Sequence, residues 1–219
     1  MGVEQSWDRS LRTRWFIPPL ITCLMSACVI GAGLFFLHSG WVAILLYHSI
    51  LLGSLIIWRR GEKPEIILRG FHIGAVIGLV SLSFGMGWMF YEFIQHLDPH
   101  GTYVIKQLSR TGLTPLGVIP FLVYVSTINP ALEEFYWRRN YATPGGWVHD
   151  VFYALLHAPM FIYFGKLTPV QAMLPVVGLI LAGALWRAVA RKVDGLASSI
   201  IGHGSGDFAM LLAIVLIAK

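Results

Sequence analysis

The chain has 219 residues, of which 56% are hydrophobic and only 12% are charged, and its mean hydropathy is +0.69. Since soluble domains carry about 25% charged residues, this composition excludes an ordinary water-soluble domain and predicts a protein embedded in lipid. The net charge of +5 comes from short basic clusters between apolar runs, a distribution typical of membrane topology rather than of a nucleic-acid-binding surface.

Apolar runs long enough to cross a bilayer recur along the whole sequence. A spanning helix needs about 20 mostly apolar residues, and we therefore predict an all-α polytopic bundle of about seven spans that forms a single domain over residues 1–219. The polar stretch 95–114 is interpreted as an outer loop with a short amphipathic helix; it would make an eighth spanning helix if it entered the membrane. The predicted spans are residues 15–38, 41–58, 66–94, 115–138, 147–165, 168–187 and 195–218.

The positions of the basic residues predict the orientation of these spans. Lysine and arginine accumulate on the cytosolic side of membrane proteins. If the spans alternate, one side receives Arg9, Arg12, Arg14, Arg59, Arg60, Lys63, Arg69, Arg138, Arg139, Arg187, Arg191 and Lys192. The other side receives only Lys106, Arg110, Lys166 and Lys219, and we therefore expect a cytosolic N-terminus.

The fourth apolar run ends in a cluster of charged residues. Asn129 and Pro130 have the pattern of a helix N-cap and first-turn proline, which predicts that a new helical segment begins inside the membrane. Glu134 and Arg138 are four residues apart and can pair on one helix face, whereas Glu133 points elsewhere. A solvated helix end at the membrane border is the alternative interpretation.

Two further spans carry isolated polar residues. His157 lies one turn after Tyr153 on an otherwise apolar helix, and His203 and Asp207 are four residues apart on the last span. A hydrogen-bonded packing histidine and a glycine-rich packing seam are the alternative interpretations. Ionisable groups are costly in lipid, however, and they commonly mark functional sites there.

Three of these residues are predicted to lie at one depth. At a rise of about 1.5 Å per residue, Glu133, His157 and His203 all fall in the inner half of the membrane on its cytosolic side. A glutamate and a histidine can together take a proton from water, and a second histidine with a short polar side chain can bind an oxyanion. No serine or cysteine has a convincing base partner, so the pattern favours a water-activating peptidase.

At these residues the chain resembles the CAAX protease and bacteriocin-processing family of intramembrane endopeptidases, also called the CPBP or ABI family, which is related to the type II CAAX prenyl endopeptidases. The pattern of that family is Glu-Glu-x-x-x-Arg, then Phe-x-x-x-His, then His-x-x-x-Asn/Asp, each on a membrane helix. The resemblance covers residues 115–219, and Tyr153 stands where phenylalanine is usual. The matching residues are Glu133, Glu134, Arg138, His157, His203 and Asp207.

The resemblance implies roles for the motif residues and a substrate class. The substrate would be a peptide or a membrane protein within the lipid bilayer, with no nucleic acid involved. The implied roles are water activation for Glu133 and His157, oxyanion or substrate binding for His203 and Asp207, and support for Glu134, Arg138 and Tyr153.

The same residue types are compatible with other chemistry. The Glu/His residues could supply zinc ligands, but the sequence His-Glu-x-x-His is absent and we favour a mechanism without a metal cofactor. The loop residues His96, Asp98 and His100 are a second possible metal site. A catalytically silent scaffold or immunity protein of the same family is one alternative function. A proton-coupled transporter is another, and it predicts repeat-related broken helices.

Overall fold

The computed structural model describes residues 9–58, 64–113, 115–138 and 146–217, and within these ranges every regular element is a helix. Helices suit lipid because all their backbone hydrogen bonds are satisfied internally. The all-α prediction is therefore confirmed for the described chain. The α-helices are α1 (Arg9–Gly31), α2 (Gly40–Trp58), α3 (Ile73–Leu97), α4 (Thr102–Arg110), α5 (Pro115–Glu133), α6 (Trp147–Leu155), α7 (Ala158–Gly165), α8 (Pro169–Val193) and α9 (Ala197–Ile217). A π-turn, Glu134–Arg138, continues α5, a second π-helix, Ala32–Phe36, follows α1, and a short 3-10 helix, Pro64–Ile67, precedes α3.

Five helical segments are long and apolar enough to cross a membrane. Large apolar side chains cover their outer faces, as lipid contact requires; on α3, for example, Trp88 is 64% exposed and Met89 is 71% exposed. By this criterion the described residues contain fewer spans than the seven predicted from hydropathy alone. The segments are Pro18–Phe36, Gly40–Ile57, Ile73–Leu97, Pro169–Val193 and Ala197–Ile217.

The break predicted at Asn129 and Pro130 is absent, because α5 continues through both residues as an α-helix to Glu133. Pro130 has no N–H to donate to the carbonyl of Ser126, yet that carbonyl packs closely against Gly204 of α9. Asn129 does not cap a new helix, since its side chain reaches across to neighbouring helices. The geometry changes only after Glu133, in the π-turn.

The predicted fifth span is not one helix but two short ones, α6 and α7, which meet at Leu156 and His157. Pro159 explains the break, because it has no N–H and its ring would clash with the carbonyl of Leu155 in a continuous helix. The carbonyl of His157 instead accepts from the backbone N–H groups of Met160 and Phe161 at 3.0 and 3.2 Å. The break therefore places His157 at the start of a new helix.

Helix α9 packs along α3 and also contacts α5 and α8, so it lies inside the bundle. The amphipathic helix predicted within 95–114 is α4, whose buried side chains include Val104 and Leu108. Asp98 accepts hydrogen bonds from the backbone N–H groups of Tyr103 and Val104 at 2.9 and 3.1 Å. The loop carboxylate considered as a metal ligand thus serves as a cap for α4.

Several residues used for the orientation lie outside the described ranges. They are Arg59, Arg60, Lys63, Arg139 and Lys219. Two others, Arg138 and Arg187, are buried inside the bundle rather than placed at its surface. Their positive charges therefore meet buried carboxylates of the protein itself.

The close contact between α5 and α9 depends on Gly204. A Cβ atom at this position would overlap the carbonyl oxygen of Ser126, which is backbone and has little freedom to move. We expect Gly204→Ala to destabilise the protein by about 1–3 kcal/mol, the usual cost of overpacking. Thermal unfolding in detergent measures this. Gly206→Ala is the matched control on the same helix, because its Cβ would lie 3.6 Å from the nearest atom, Ser83 Oγ. Equal loss in both variants would contradict the expectation.

Candidate active site

The structure brings the residues of the three motifs to one place in the bundle. Glu133, at the end of α5, has its Oε2 atom 3.2 Å from Nε2 of His203 on α9 and its Oε1 atom 3.8 Å from Nε2 of His157. Asp207 lies one turn after His203, with 3.7 Å between Oδ1 and Nε2. Glu133 and His203 are essentially inaccessible to solvent. Two carboxylates and two imidazoles therefore form one cluster, in which Glu133 and His203 are buried and His157 and Asp207 are partly exposed.

Glu133 also has hydrogen-bond donors that the sequence analysis missed. Tyr47 of α2 donates from its hydroxyl to Oε1 at 2.6 Å, and Asn129 donates from Nδ2 to Oε2 at 3.1 Å. The same amide nitrogen lies 3.0 Å from Oδ2 of Asp207. His48, next to Tyr47, bonds Asn129 in turn. His48 is an ionisable residue within the second apolar run, and this feature of the sequence could have identified α2 as part of the site.

The contacts of His157 fix which of its ring nitrogens carries the proton. Its Nδ1 lies 2.7 Å from the carbonyl oxygen of Tyr153, and a carbonyl can only accept a hydrogen bond. Nδ1 is therefore protonated, and Nε2 of the neutral ring presents a lone pair on the side of Glu133. This tautomer can accept a proton or a hydrogen bond from a water molecule near Glu133.

Both ring nitrogens of His203 and one face of its ring contact other side chains of the protein. Its Nδ1 lies 3.0 Å from Oε1 of Glu134, and its Nε2 lies 2.9 Å from the hydroxyl of Tyr153. The ring stacks on Trp186 with 4.4 Å between centroids. The family pattern has phenylalanine where this chain has Tyr153, so the hydroxyl is an additional group, and its partner is His203. These contacts hold His203 behind Glu133.

A network of buried ions supports this cluster from one side. Arg138 pairs with Glu134 four residues before it, and its Nε lies 3.3 Å from Oδ1 of Asp150 on α6. Arg187 of α8 donates to both oxygens of Asp150, at 2.8 and 3.0 Å. Gly183 lets the guanidinium of Arg138 lie against α8, since a Cβ there would be 2.7 Å from Nη2. Buried charges are tolerated only when they are paired in this way.

The other side of the cluster faces a cavity of about 120 Å³. Apolar side chains of α2, α4, α5, α7 and α9 form most of its wall, among them Leu108, Phe121, Phe161, Met210 and Ile214. The charged and amide side chains that line the cavity all belong to the cluster or to its hydrogen-bond partners, and so does Tyr47. The polar lining residues are Tyr47, Asn129, Glu133, His157 and Asp207. His203 is not among the lining residues.

Glu133, His203 and Asp207 are also the group of described residues that could hold a metal ion, since their ligand atoms lie within 4.8 Å of one another. Both oxygens of Glu133 and Nε2 of His203 are engaged in direct hydrogen bonds. A metal ion bound through Nε2 of His203 would have to replace the bond of that nitrogen with Tyr153. The geometry therefore describes a hydrogen-bonded cluster that a metal would need to rearrange.

The arrangement can perform acid–base chemistry. A carboxylate and a neutral imidazole that face the same cavity can take a proton from water and return it to a departing group. Comparison with protein-family models, with curated proteins and with solved structures gave no match. The family resemblance therefore rests on the three motifs alone.

Proposed function

We propose that this protein is an intramembrane endopeptidase that hydrolyses a peptide bond with a water molecule activated by Glu133 and His157. One observation carries the proposal: both side chains lie at the polar end of an otherwise apolar cavity, with 3.8 Å between Oε1 and Nε2. That separation allows one water molecule to hydrogen-bond to both atoms. A peptide in the same cavity would be within reach of this water.

The reaction needs only the groups of this cluster. The water oxygen attacks the carbonyl carbon of the scissile bond while Glu133 takes one of its protons. His157, through its Nε2 lone pair, holds the second hydrogen and so orients the attack. Collapse of the tetrahedral intermediate breaks the C–N bond, and the proton on Glu133 passes to the departing nitrogen. The products are a new carboxyl terminus and a new amino terminus.

The remaining motif residues divide into two roles. Asp207 lines the cavity, so we assign it to contact with the substrate, where its carboxylate can accept a hydrogen bond. His203 lies behind Glu133, so we assign it to holding that carboxylate in place. Glu134 and Arg138 support His203 from the buried ion network. This division refines the roles implied by the family resemblance, in which His203 and Asp207 act together.

We further propose seven membrane crossings with a cytosolic N-terminus. Helix α5 has 19 residues, which extend about 29 Å and match the bilayer core of about 30 Å. The π-turn continues α5 by five residues. Helices α6 and α7, joined at the Pro159 break, supply the other crossing. Both crossings carry site residues, and each packs against apolar helices of spanning length.

The substrate of this proposal is a peptide segment that enters from the bilayer, and the chain is proposed to belong to the CAAX protease and bacteriocin-processing family. The apolar wall of the cavity favours a substrate segment with apolar side chains, because a charged side chain placed there would lose its hydration. No metal takes part in the proposed reaction. Metal analysis of the purified protein, together with activity after chelation, tests that part.

Comparison of peptide termini in cells tests the function itself. Cells that produce the wild-type protein should contain one or more new peptide termini that are missing with Glu133→Ala at equal membrane levels. Glu92→Ala, an exposed position on α3, is the matched control and should leave these termini present. Identical termini with the wild type and Glu133→Ala would refute the proposal and favour a silent scaffold.

A further inference from the structure

The amide of Asn129 has one orientation that satisfies all its neighbours. One end of the amide faces two carboxylates, Glu133 at 3.1 Å and Asp207 at 3.0 Å, and carboxylates accept hydrogen bonds. The nitrogen must therefore lie at that end, since an oxygen there would meet two acceptors. The oxygen then faces His48, with 2.9 Å between Oδ1 and Nε2.

His48 in turn has one tautomer that fits. The amide oxygen of Asn129 only accepts, so Nε2 of His48 must carry the hydrogen that it donates. Nδ1 of the neutral ring is then an acceptor, and the Tyr124 hydroxyl lies 2.7 Å away to donate to it. Hydrogen bonds therefore run in one direction from Tyr124 through His48 and Asn129 to Glu133.

Because these hydrogen-bonded residues are buried, the direction of the hydrogen bonds between them is important. His48 is 3% exposed and Asn129 is 4% exposed, so water cannot readily replace a lost partner. His48 does not line the cavity, whereas Asn129 does. If the Asn129 amide turned over, its oxygen would repel both carboxylates, and Glu133 would lose one of the donors that hold it.

We propose that His48 is a positioning residue: by fixing the orientation of the Asn129 amide, it holds the carboxylates of Glu133 and Asp207 at the edge of the cavity. The inference rests on the proposed endopeptidase function and adds a residue outside the three motifs to that site. His48 acts entirely through Asn129 and touches neither the substrate nor the reacting water.

Two substitutions of His48 separate positioning from packing. The amide nitrogen of glutamine is as many bonds from Cα as Nε2 of histidine, so His48→Gln keeps the donor to Asn129. The amide of His48→Asn reaches only the position of Nδ1, and the donor is lost. We expect His48→Gln to keep at least about a third of the wild-type kcat, and His48→Asn to lower kcat about 10–100-fold, the usual effect of removing a residue that orients a functional group.

The assay uses the full chain in lipid nanodiscs, with a peptide that spans a cleavage site mapped in cells, and kcat is normalised to folded protein. If His48→Asn does not fold, His48→Phe replaces it, because it keeps the ring but has no nitrogen; the same loss is expected. The positioning role would be overturned if His48→Gln had the same kcat as His48→Asn or His48→Phe, which lack the donor. It would also be overturned if the kcat of His48→Gln were lower than that of the variant without the donor. If Glu133→Gln still cleaves, the proposed function fails instead.

Discussion

Substitution of Glu133 by glutamine is expected to lower kcat about 10²–10⁴-fold, the usual contribution of a general base. Glutamine has nearly the same shape but cannot take a proton from water. Its single carbonyl oxygen can accept from Tyr47 or from Asn129 but not from both, because these two residues donate to different oxygens of Glu133. The kcat of the variant is therefore compared per folded protein, so that the lost proton acceptor is separated from the lost hydrogen bond. Steady-state cleavage of a mapped substrate peptide by the protein in nanodiscs measures it, alongside the melting temperature of both proteins.

The control for this experiment is Glu92→Gln, which makes the same chemical change on the exposed face of α3. We expect its kcat to match the wild-type value. If Glu133→Gln retained kcat within about threefold of wild type while remaining folded, Glu133 would have no general-base role, since such a role contributes at least about 100-fold.

Substitution of Arg138 by methionine is expected to destabilise the protein by about 3–5 kcal/mol, because it breaks a buried ion pair by removing one partner. Glu134 would keep its negative charge in a site with no solvent contact and would lose its guanidinium partner while keeping the contact with His203, and Asp150 would retain only Arg187 as its cation. The unfolding free energy in detergent measures this effect. The surface pair of Arg69 with Asp194 offers a control, since side chains that are 61% and 71% exposed contribute at most about 1 kcal/mol.

A compensating change sharpens the test of the ion network. Glu134→Gln removes the charge that Arg138→Met leaves without its guanidinium partner, so the double variant should be more stable than Arg138→Met alone. This result would show that uncompensated charge, rather than lost packing volume, causes the loss. A loss in Arg69→Met as large as that in Arg138→Met would contradict the buried-charge explanation.

Much of the fold could be predicted because lipid imposes a simple rule. Helices α1, α2, α3, α8 and α9 follow directly from apolar length, since a spanning segment must satisfy its backbone internally. The details at prolines could not be predicted in this way. Pro130 lies within a continuous helix, whereas Pro159 lies in the first turn of α7, just after the break that ends α6. The close packing of the Ser126 carbonyl against Gly204 is set by the neighbouring helix.

The site could be predicted only as far as its motifs. The four-residue spacing of Glu134 and Arg138 indicated their pairing, and polar residues in apolar runs indicated Glu133, His157 and His203. The partners on other helices were missed. Tyr47, His48 and Asp150 reach the site through helix packing, and spacing within one helix says nothing about which faces of two helices meet.

The most direct test of the central claim is a double-mutant cycle on single-turnover cleavage with Glu133→Gln, His157→Gln and the variant that carries both changes. If the two side chains act on one water molecule, the double variant should cleave about as slowly as the slower single variant, because groups that act as a unit are not additive. If the two rate losses multiply, Glu133 and His157 act independently, and the shared-water mechanism is contradicted.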